Sequence, residues 1–194
     1  MEAHRLNNLS IQDYLDIEAS ADTCYEYHNG KIFAMAGGTI EHGLISGNTF
    51  GEIKFGLRNA KKACQVINSE VKLHVDQANK FLHPDVMVVC GDLERSDSTP
   101  HAIVNPTVII EVLSKTTERY DRGDKFFAYR QISTLKEYIL IDQYQVLVDA
   151  YQRRGDLWKI SRLTDMTQVL RLSSLGLEIN IASLYEGVEF IPES

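Results

Sequence analysis

The chain has 194 residues, 44% hydrophobic and 24% charged, a balance that fits a folded protein with a real core and excludes a disordered or fibrous one. A formal net charge of −7 argues against a broad, non-specific coat of nucleic acid, though not against a local basic groove. No stretch approaches membrane-spanning length, and the first residues lack the basic-then-apolar pattern of a signal peptide, so a cytoplasmic location is expected. The three cysteines, Cys24, Cys64 and Cys90, lie far apart and form no CxxC pair. The expectation is therefore reduced cysteines that pack, rather than a zinc knuckle or a disulfide framework.

In chain order, residues 9–17 read as a short helix, opened by Ser10 with Asp13 three residues on, a capping-box pattern. Residues 25–35 read as a hairpin around Asn29-Gly30, because both central positions of a type I′ turn need positive φ. Gly37-Gly38 ends it. Residues 42–60 carry Ile45, Thr49, Ile53 and Leu57 at a spacing of four and read as a helix, despite several glycines. Strands are predicted over 64–67 and 71–75, and one continuous strand over 81–89; residues 91–105 are polar and read as a surface loop. A strand over 107–114, a helix over 117–132 and a strand over 136–142 form a strand–helix–strand unit, which implies a parallel pair. Residues 145–151 and 157–163 read as a second hairpin, with Arg153 and Arg154 at a solvated tip. The tail, 169–191, suggests a short strand, a turn at Gly176 and a short helix near 181–185. No repeat, low-complexity tract or linker interrupts residues 1–194, so one α/β domain is expected.

The strand over 107–114 contains an exception. Its run from Val108 to Leu113 is apolar except for Glu111. Apolar residues on successive positions read as a strand covered on both faces, where an ionised carboxylate is costly without a partner. Glu111 needs a cation (Lys72 or Lys136 across the sheet would serve), a proton or a metal. Asp85 opens another apolar strand directly after Pro84, and on the helix that follows the Glu111 strand Asp121, Lys125, Ala128 and Ile132 fall on one stripe. If Ala128 and Ile132 face the sheet, Lys125 lies near the end of the preceding strand. Neighbouring carboxylates repel unless something positive sits between them, and a hard cation such as Mg²⁺ takes oxygen ligands of this kind. A nearby lysine then orients a water or neutralises a phosphate, which together makes a phosphodiester-cleaving constellation. Each residue also has a plainer reading. Asp85 is an ordinary turn carboxylate, Lys125 and Asp121 an exposed i,i+4 pair stabilising by about 0.2–0.5 kcal/mol, Glu26 a solvent-facing hairpin position, and His42 an N-terminal helix residue or a substrate contact.

The set Tyr25-Glu-Tyr-His-Asn-Gly-Lys-Ile, His42, Pro84-Asp-Val, Ile110-Glu-Val-Leu-Ser, Asp121-Arg-Gly-Asp-Lys125 with Tyr129-Arg130, and Glu137-Tyr-Ile-Leu-Ile-Asp142 resembles the PD-(D/E)xK nuclease superfamily. More closely, it is similar to a bacterial family of putative restriction endonucleases once catalogued as a domain of unknown function. The resemblance implies a restriction-endonuclease-like α/β fold, a central mixed β-sheet flanked by helices with an N-terminal hairpin. It implies an endonuclease that cuts DNA with Mg²⁺ (Mn²⁺ may substitute). Asp85, Glu111 and Glu26 would be metal ligands, Lys125 would join them as a catalytic residue, and the chain would pair as a homodimer. One departure stands out: the superfamily's lysine two residues after the acidic one is Leu113 here, and Lys125 is the candidate to replace it. The other reading of that departure is an inactive nuclease fold that binds nucleic acid or a partner. A solvent-pointing Lys125 would favour it.

Overall fold

A computed structural model describes residues 8–35 and 37–190. The N-terminal stretch and Ile191, where the tail pattern ended, lie outside the described residues. Helix α1 (Ile11–Ser20) opens on the capping box as the pattern predicts, with the Asp13 N–H donating to Ser10 Oγ and Asp13 accepting from the Ser10 N–H. Strands β1 (Tyr25–His28) and β2 (Lys31–Ala34) form the hairpin. Its turn residues, Asn29 (φ 47°) and Gly30 (φ 90°), are both left-handed. Helix α2 (Ile40–Asn59) buries Ile45, Thr49, Ile53 and Leu57, the predicted stripe. Burial of each aliphatic side chain contributes about 1.5–3 kcal/mol.

Strands β3 (Cys64–Asn68), β4 (Lys72–Val75), β5 (Lys80–Leu82) and β6 (Val86–Cys90) follow. The single strand expected over 81–89 is in fact two. β5 pairs with β1 and β4, whereas β6 pairs with β3 and β8 (Val108–Leu113), so His83-Pro84-Asp85 carries the chain from one sheet to the other. Pro84 has no N–H to give to a ladder, which suits a crossing point. The expected surface loop is also more ordered than its polarity suggested. It holds β7 (Ala102–Ile103), parallel to β4, and buries Ser96, Thr99 and Asn105.

Beyond β8, helix α3 (Glu118–Tyr120), a π-helical turn (Asp121–Lys125) and helix α4 (Phe126–Tyr129) stand where one regular helix was expected. They lead to β9 (Glu137–Asp142), parallel to β8 as predicted. The hairpin β10 (Val148–Arg154) and β11 (Leu157–Leu163) extends that sheet. Strands β12 (Val169–Leu172) and β13 (Leu177–Asn180), with helix α5 (Ile181–Leu184), complete the described chain. The central mixed sheet runs β11-β10-β9-β8-β6-β3, and a second sheet runs β2-β1-β5-β4-β7. On one face of the central sheet, Val86, Val108, Ile110 and Ile139 pack under α2 and the tail. On the other, Met87, Ile109, Leu113 and Leu140 meet Tyr129, Ile132 and the β4–β5 side chains.

Two expectations are corrected here. Cys64 and Cys90, opposite each other in the β3–β6 register, are joined by a disulfide, and only the exposed Cys24 is free. Arg153 is not a solvated tip residue. Its guanidinium donates to the carbonyls of Arg130 (2.6 Å) and Ile132 (3.0 Å) and stacks on Trp158.

Candidate active site

The β6 register places Val86 opposite Ile110, so one step on Asp85 lies opposite Glu111, at the point where β6 has ended. There Asp85 Oδ2 accepts the Val112 N–H at 2.7 Å, taking the place of the missing backbone acceptor. Glu111 is 3% exposed and lies on the β8 face that carries Ile109 and Leu113. From the helical segment above, Lys125 Nζ reaches Glu111 Oε1 at 2.9 Å, Glu26 Oε1 at 3.4 Å and Asp121 Oδ1 at 3.4 Å. The four residues named from sequence therefore meet in one place, with Asp121 added. Leu113, on the same strand face as Glu111, is packed into the core, so the cation arrives from the helix. The π-turn helps to explain how. An i→i+5 repeat widens the helix locally, and both Asp121 and Lys125 are buried by it.

Around this centre lie residues to which the sequence reading gave no role, although Tyr129 and His28 fall within the stretches that carry the resemblance. Tyr129 donates its hydroxyl to Glu111 Oε1 at 2.8 Å. His28, two residues from Glu26 on the same strand face, holds Glu26 Oε2 at 3.0 Å, and Tyr120 meets the same His28 nitrogen at 3.1 Å. The His83 N–H donates to Glu26 Oε1 at 3.2 Å. The i, i+2 alternation could have pointed to His28; no local signal marks the others. His42, read as a helix-start residue or a substrate contact, places Nε2 at 3.3 Å from Asp85 Oδ2. Its helix is anchored beside the site: Thr39, the N-cap of α2, accepts from the His42 N–H and donates to Gln143, which donates in turn to the Leu113 carbonyl. A Cβ at Gly38 would stand 3.1 Å from His42 Nδ1, so a larger residue there would push the ring by a few tenths of an ångström. A cavity of about 350 Å³ opens over these groups, lined by Asp85, Glu111, Tyr120, Lys125 and His42, with Lys115 also on its wall.

The charges are unevenly matched. Burial pushes the Glu111 carboxyl well above the usual range; Lys125 opposes this, while Asp121 and Asp85 add to it. Burial likewise raises Asp121. Burial would also raise Glu26, but Lys125, His28 and the His83 amide together outweigh it and hold that carboxyl at about 2. Burial works against the Lys125 ammonium, yet Glu111, Glu26 and Asp121 keep it protonated well beyond its ordinary range. Asp121 Oδ1 is buried without a well-aligned hydrogen bond among the described residues; the Lys125 ammonium lies 3.4 Å away, and the Thr117 side chain also favours the charged carboxylate. Among the described residues no ready-made cluster of three or more metal-ligating side chains is present. Mg²⁺ does not need one, since it usually keeps several waters and binds through one or two carboxylates.

Fold and site define a restriction-endonuclease-like protein. The structure superposes on the crystal structure of a putative nuclease belonging to DUF820 from Anabaena variabilis, with a TM-score of 0.75 over 92% of this chain and 98% of that one, at 15% identity. The family model Uma2, "Putative restriction endonuclease", matches residues 11–182, and the chain belongs to that family. Similar proteins include two uncharacterized proteins of Synechocystis sp.: slr1290, 32% identical over 183 residues covering 94% of each chain, and sll1609, 31% identical over 156 residues covering 80% of this chain and 87% of the other.

Proposed function

We infer that the protein is a metal-dependent endonuclease that hydrolyses DNA phosphodiester bonds. The observation that carries this reading is the excess of carboxylate over cation around Lys125, at the floor of an open cavity. Asp85 and Glu111, opposite each other across two strands, are the oxygen donors suited to Mg²⁺ or Mn²⁺. Asp121 shares its one cation, Lys125, with Glu111 and Glu26, which fits a site that is short of positive charge. Lys125 and Tyr129 both bond Glu111 Oε1. Both oxygens of Glu26 are engaged by His28, His83 and Lys125, so its role in this reading is to seat the lysine rather than to bind metal directly. A divalent cation bound there would polarise the phosphoryl group and lower the pKa of a water.

The chain's own residues supply the rest. Lys125, held protonated, acts as a hydrogen-bond donor and a positive charge for the phosphoryl oxygens as they gain charge, and not as a general base. His42, whose pKa is raised by Asp85 against the effect of burial, offers an imidazole donor at the cavity wall. Val112 fixes Asp85 through its N–H, and Tyr129 fixes Glu111. The binding-only alternative would be favoured by a lysine turned to solvent, but Lys125 is 6% exposed and faces the carboxylates.

The test is cleavage of supercoiled plasmid and of single-stranded DNA with Mg²⁺ or Mn²⁺. Wild type is compared with Asp85→Ala, Glu111→Ala and Lys125→Ala, each checked for folding by circular dichroism. Cleavage by wild type and its loss in all three variants is expected. Cleavage that survives in folded variants would overturn the assignment.

A further inference from the structure

Among the described residues, nothing pairs with the outer edge of the central sheet. Strand β11, Leu-Trp-Lys-Ile-Ser-Arg-Leu, pairs with β10 on one side only, and Leu157 (75% exposed) and Ile160 (57% exposed) stand in solvent. A seven-residue edge strand without proline is a template for pairing with another strand; Lys159 and Arg162 are its charged residues, so a partner strand must set neither against a like charge. The direction of its backbone can be read from its neighbour. The Arg153 N–H donates to the Lys136 carbonyl, so Arg153 points towards the β9 side, and Trp158, its partner across the ladder, points outward. By alternation Ile160 and Arg162 also present their N–H and C=O outward. The β10–β11 loop is two residues long, with Gly155 at φ 62° in its first position, the geometry of a tight hairpin that keeps this register.

The strand is also its own complement. Laid antiparallel on a second copy about a two-fold axis through Ile160, it sets Trp158 opposite Arg162, Lys159 opposite Ser161 and Leu157 opposite Leu163. No like charges face each other. Arg162, whose Nε and Nη2 are held by Asp149 at 2.7 and 2.9 Å, would stand opposite an aromatic residue rather than a charge. The pairs formed by Trp158, Ile160 and Arg162 are those whose backbone groups point outward, so every outward N–H and C=O finds a partner in this register and in no register shifted by one.

We propose that the protein forms a two-fold dimer in which two β11 strands join antiparallel at Ile160, making one continuous sheet across both copies. The proposal does not depend on the chemistry of the cleft, and its test involves no catalysis. In a hydrogen-bonded antiparallel pair the facing Cα atoms lie about 5.5 Å apart, within reach of a disulfide. On a Cys24→Ser background, Ile160→Cys should form a covalent dimer under mild oxidation at micromolar protein. Lys159→Cys and Ser161→Cys should each remain uncrosslinked alone and crosslink when mixed. Ile160→Lys should convert a dimer seen by light scattering into a monomer that keeps the wild-type circular dichroism spectrum, because the side chain is exposed, with a melting temperature lowered only by the lost association. A monomeric wild type would overturn the proposal. So would crosslinking of Ser161→Cys alone as readily as Ile160→Cys, which would indicate another register or random collision.

Discussion

On the outer strands, Asp149 of β10 takes hydrogen bonds from Arg122 at 2.6 Å and from Arg162 at 2.7 and 2.9 Å. Arg122 also donates to Glu118 at 2.8 Å, so two carboxylates there answer to two guanidiniums, and although burial works against Asp149, those arginines hold its pKa below the usual range. In the cleft that balance is lost. One ammonium, Lys125, answers to Glu26, Glu111 and Asp121, with Asp85 alongside, and the Glu111 carboxyl is driven upward. The first arrangement is complete and serves to tie the helical segment to the sheet. The second is short of positive charge, and a buried cluster in that state is suited to accept a cation. The comparison shows that burial of charge does not by itself mark a site. The sign of what is missing does.

The largest effect that would sharpen this contrast is expected from Lys125→Met. Removing the ammonium leaves buried carboxylates facing one another, which should cost about 3–5 kcal/mol in metal-free buffer, read by urea unfolding. Added Mn²⁺ should recover part of that loss, and a variant as stable as wild type would break the contrast. Asp149→Ala comes next. Arg122 and Arg162 both have access to water, so the cost should be about 1–3 kcal/mol, and Mn²⁺ should not restore it. Glu111→Gln should cost about 1 kcal/mol or less, since its carboxyl is already pushed towards the neutral form and the amide oxygen can still accept from Tyr129; a large fall in melting temperature would make Glu111 a structural partner instead.

The smallest effect is in pH dependence, and the two carboxylates should differ in sign. Asp149 has a lowered folded pKa. Its stabilisation is complete above the ordinary aspartate value of about 3.9 and is lost as pH falls through the folded value, so Asp149→Asn should approach wild type only in acid. Glu111 has a raised folded pKa. Its cost grows as pH rises from the ordinary glutamate value of about 4.3 to the folded value, so Glu111→Gln should gain on wild type over that interval. Stability measured from pH 3 to 8 checks both, and parallel curves for the two pairs would contradict the contrast.

Local chemistry made much of the fold legible. Asn29-Gly30 specified its turn, the four-residue spacing of Ile45 to Leu57 its helix, and the odd Glu111 marked β8 as the strand around which the site is built. What stayed hidden depended on partners distant in sequence. Phe81-Leu82 and Val86 to Val89 are equally apolar, so nothing local showed that Pro84 separates two sheets. Cys64 and Cys90 become neighbours only through the β3–β6 register. For Glu26 alternation alone allows a solvent-facing hairpin position, and only the resemblance puts it at the site; its burial depends on Lys125 and His83, which cover it. The apolar character of 126–129 suggested a regular helix and gave no sign of the π-turn before it. Lys125 as the replacement for a strand lysine is legible only through the resemblance, which expects a lysine at the position Leu113 holds and so points to one on the following helix.

The most direct test of the contrast is calorimetric titration of Mn²⁺ into metal-free protein, comparing wild type with Asp85→Asn, Glu111→Gln and Asp149→Asn. Binding by wild type and Asp149→Asn alike, and its loss in Asp85→Asn and Glu111→Gln, is the predicted result. A wild type that takes up no Mn²⁺, or an Asp85→Asn variant that titrates like wild type, would contradict it.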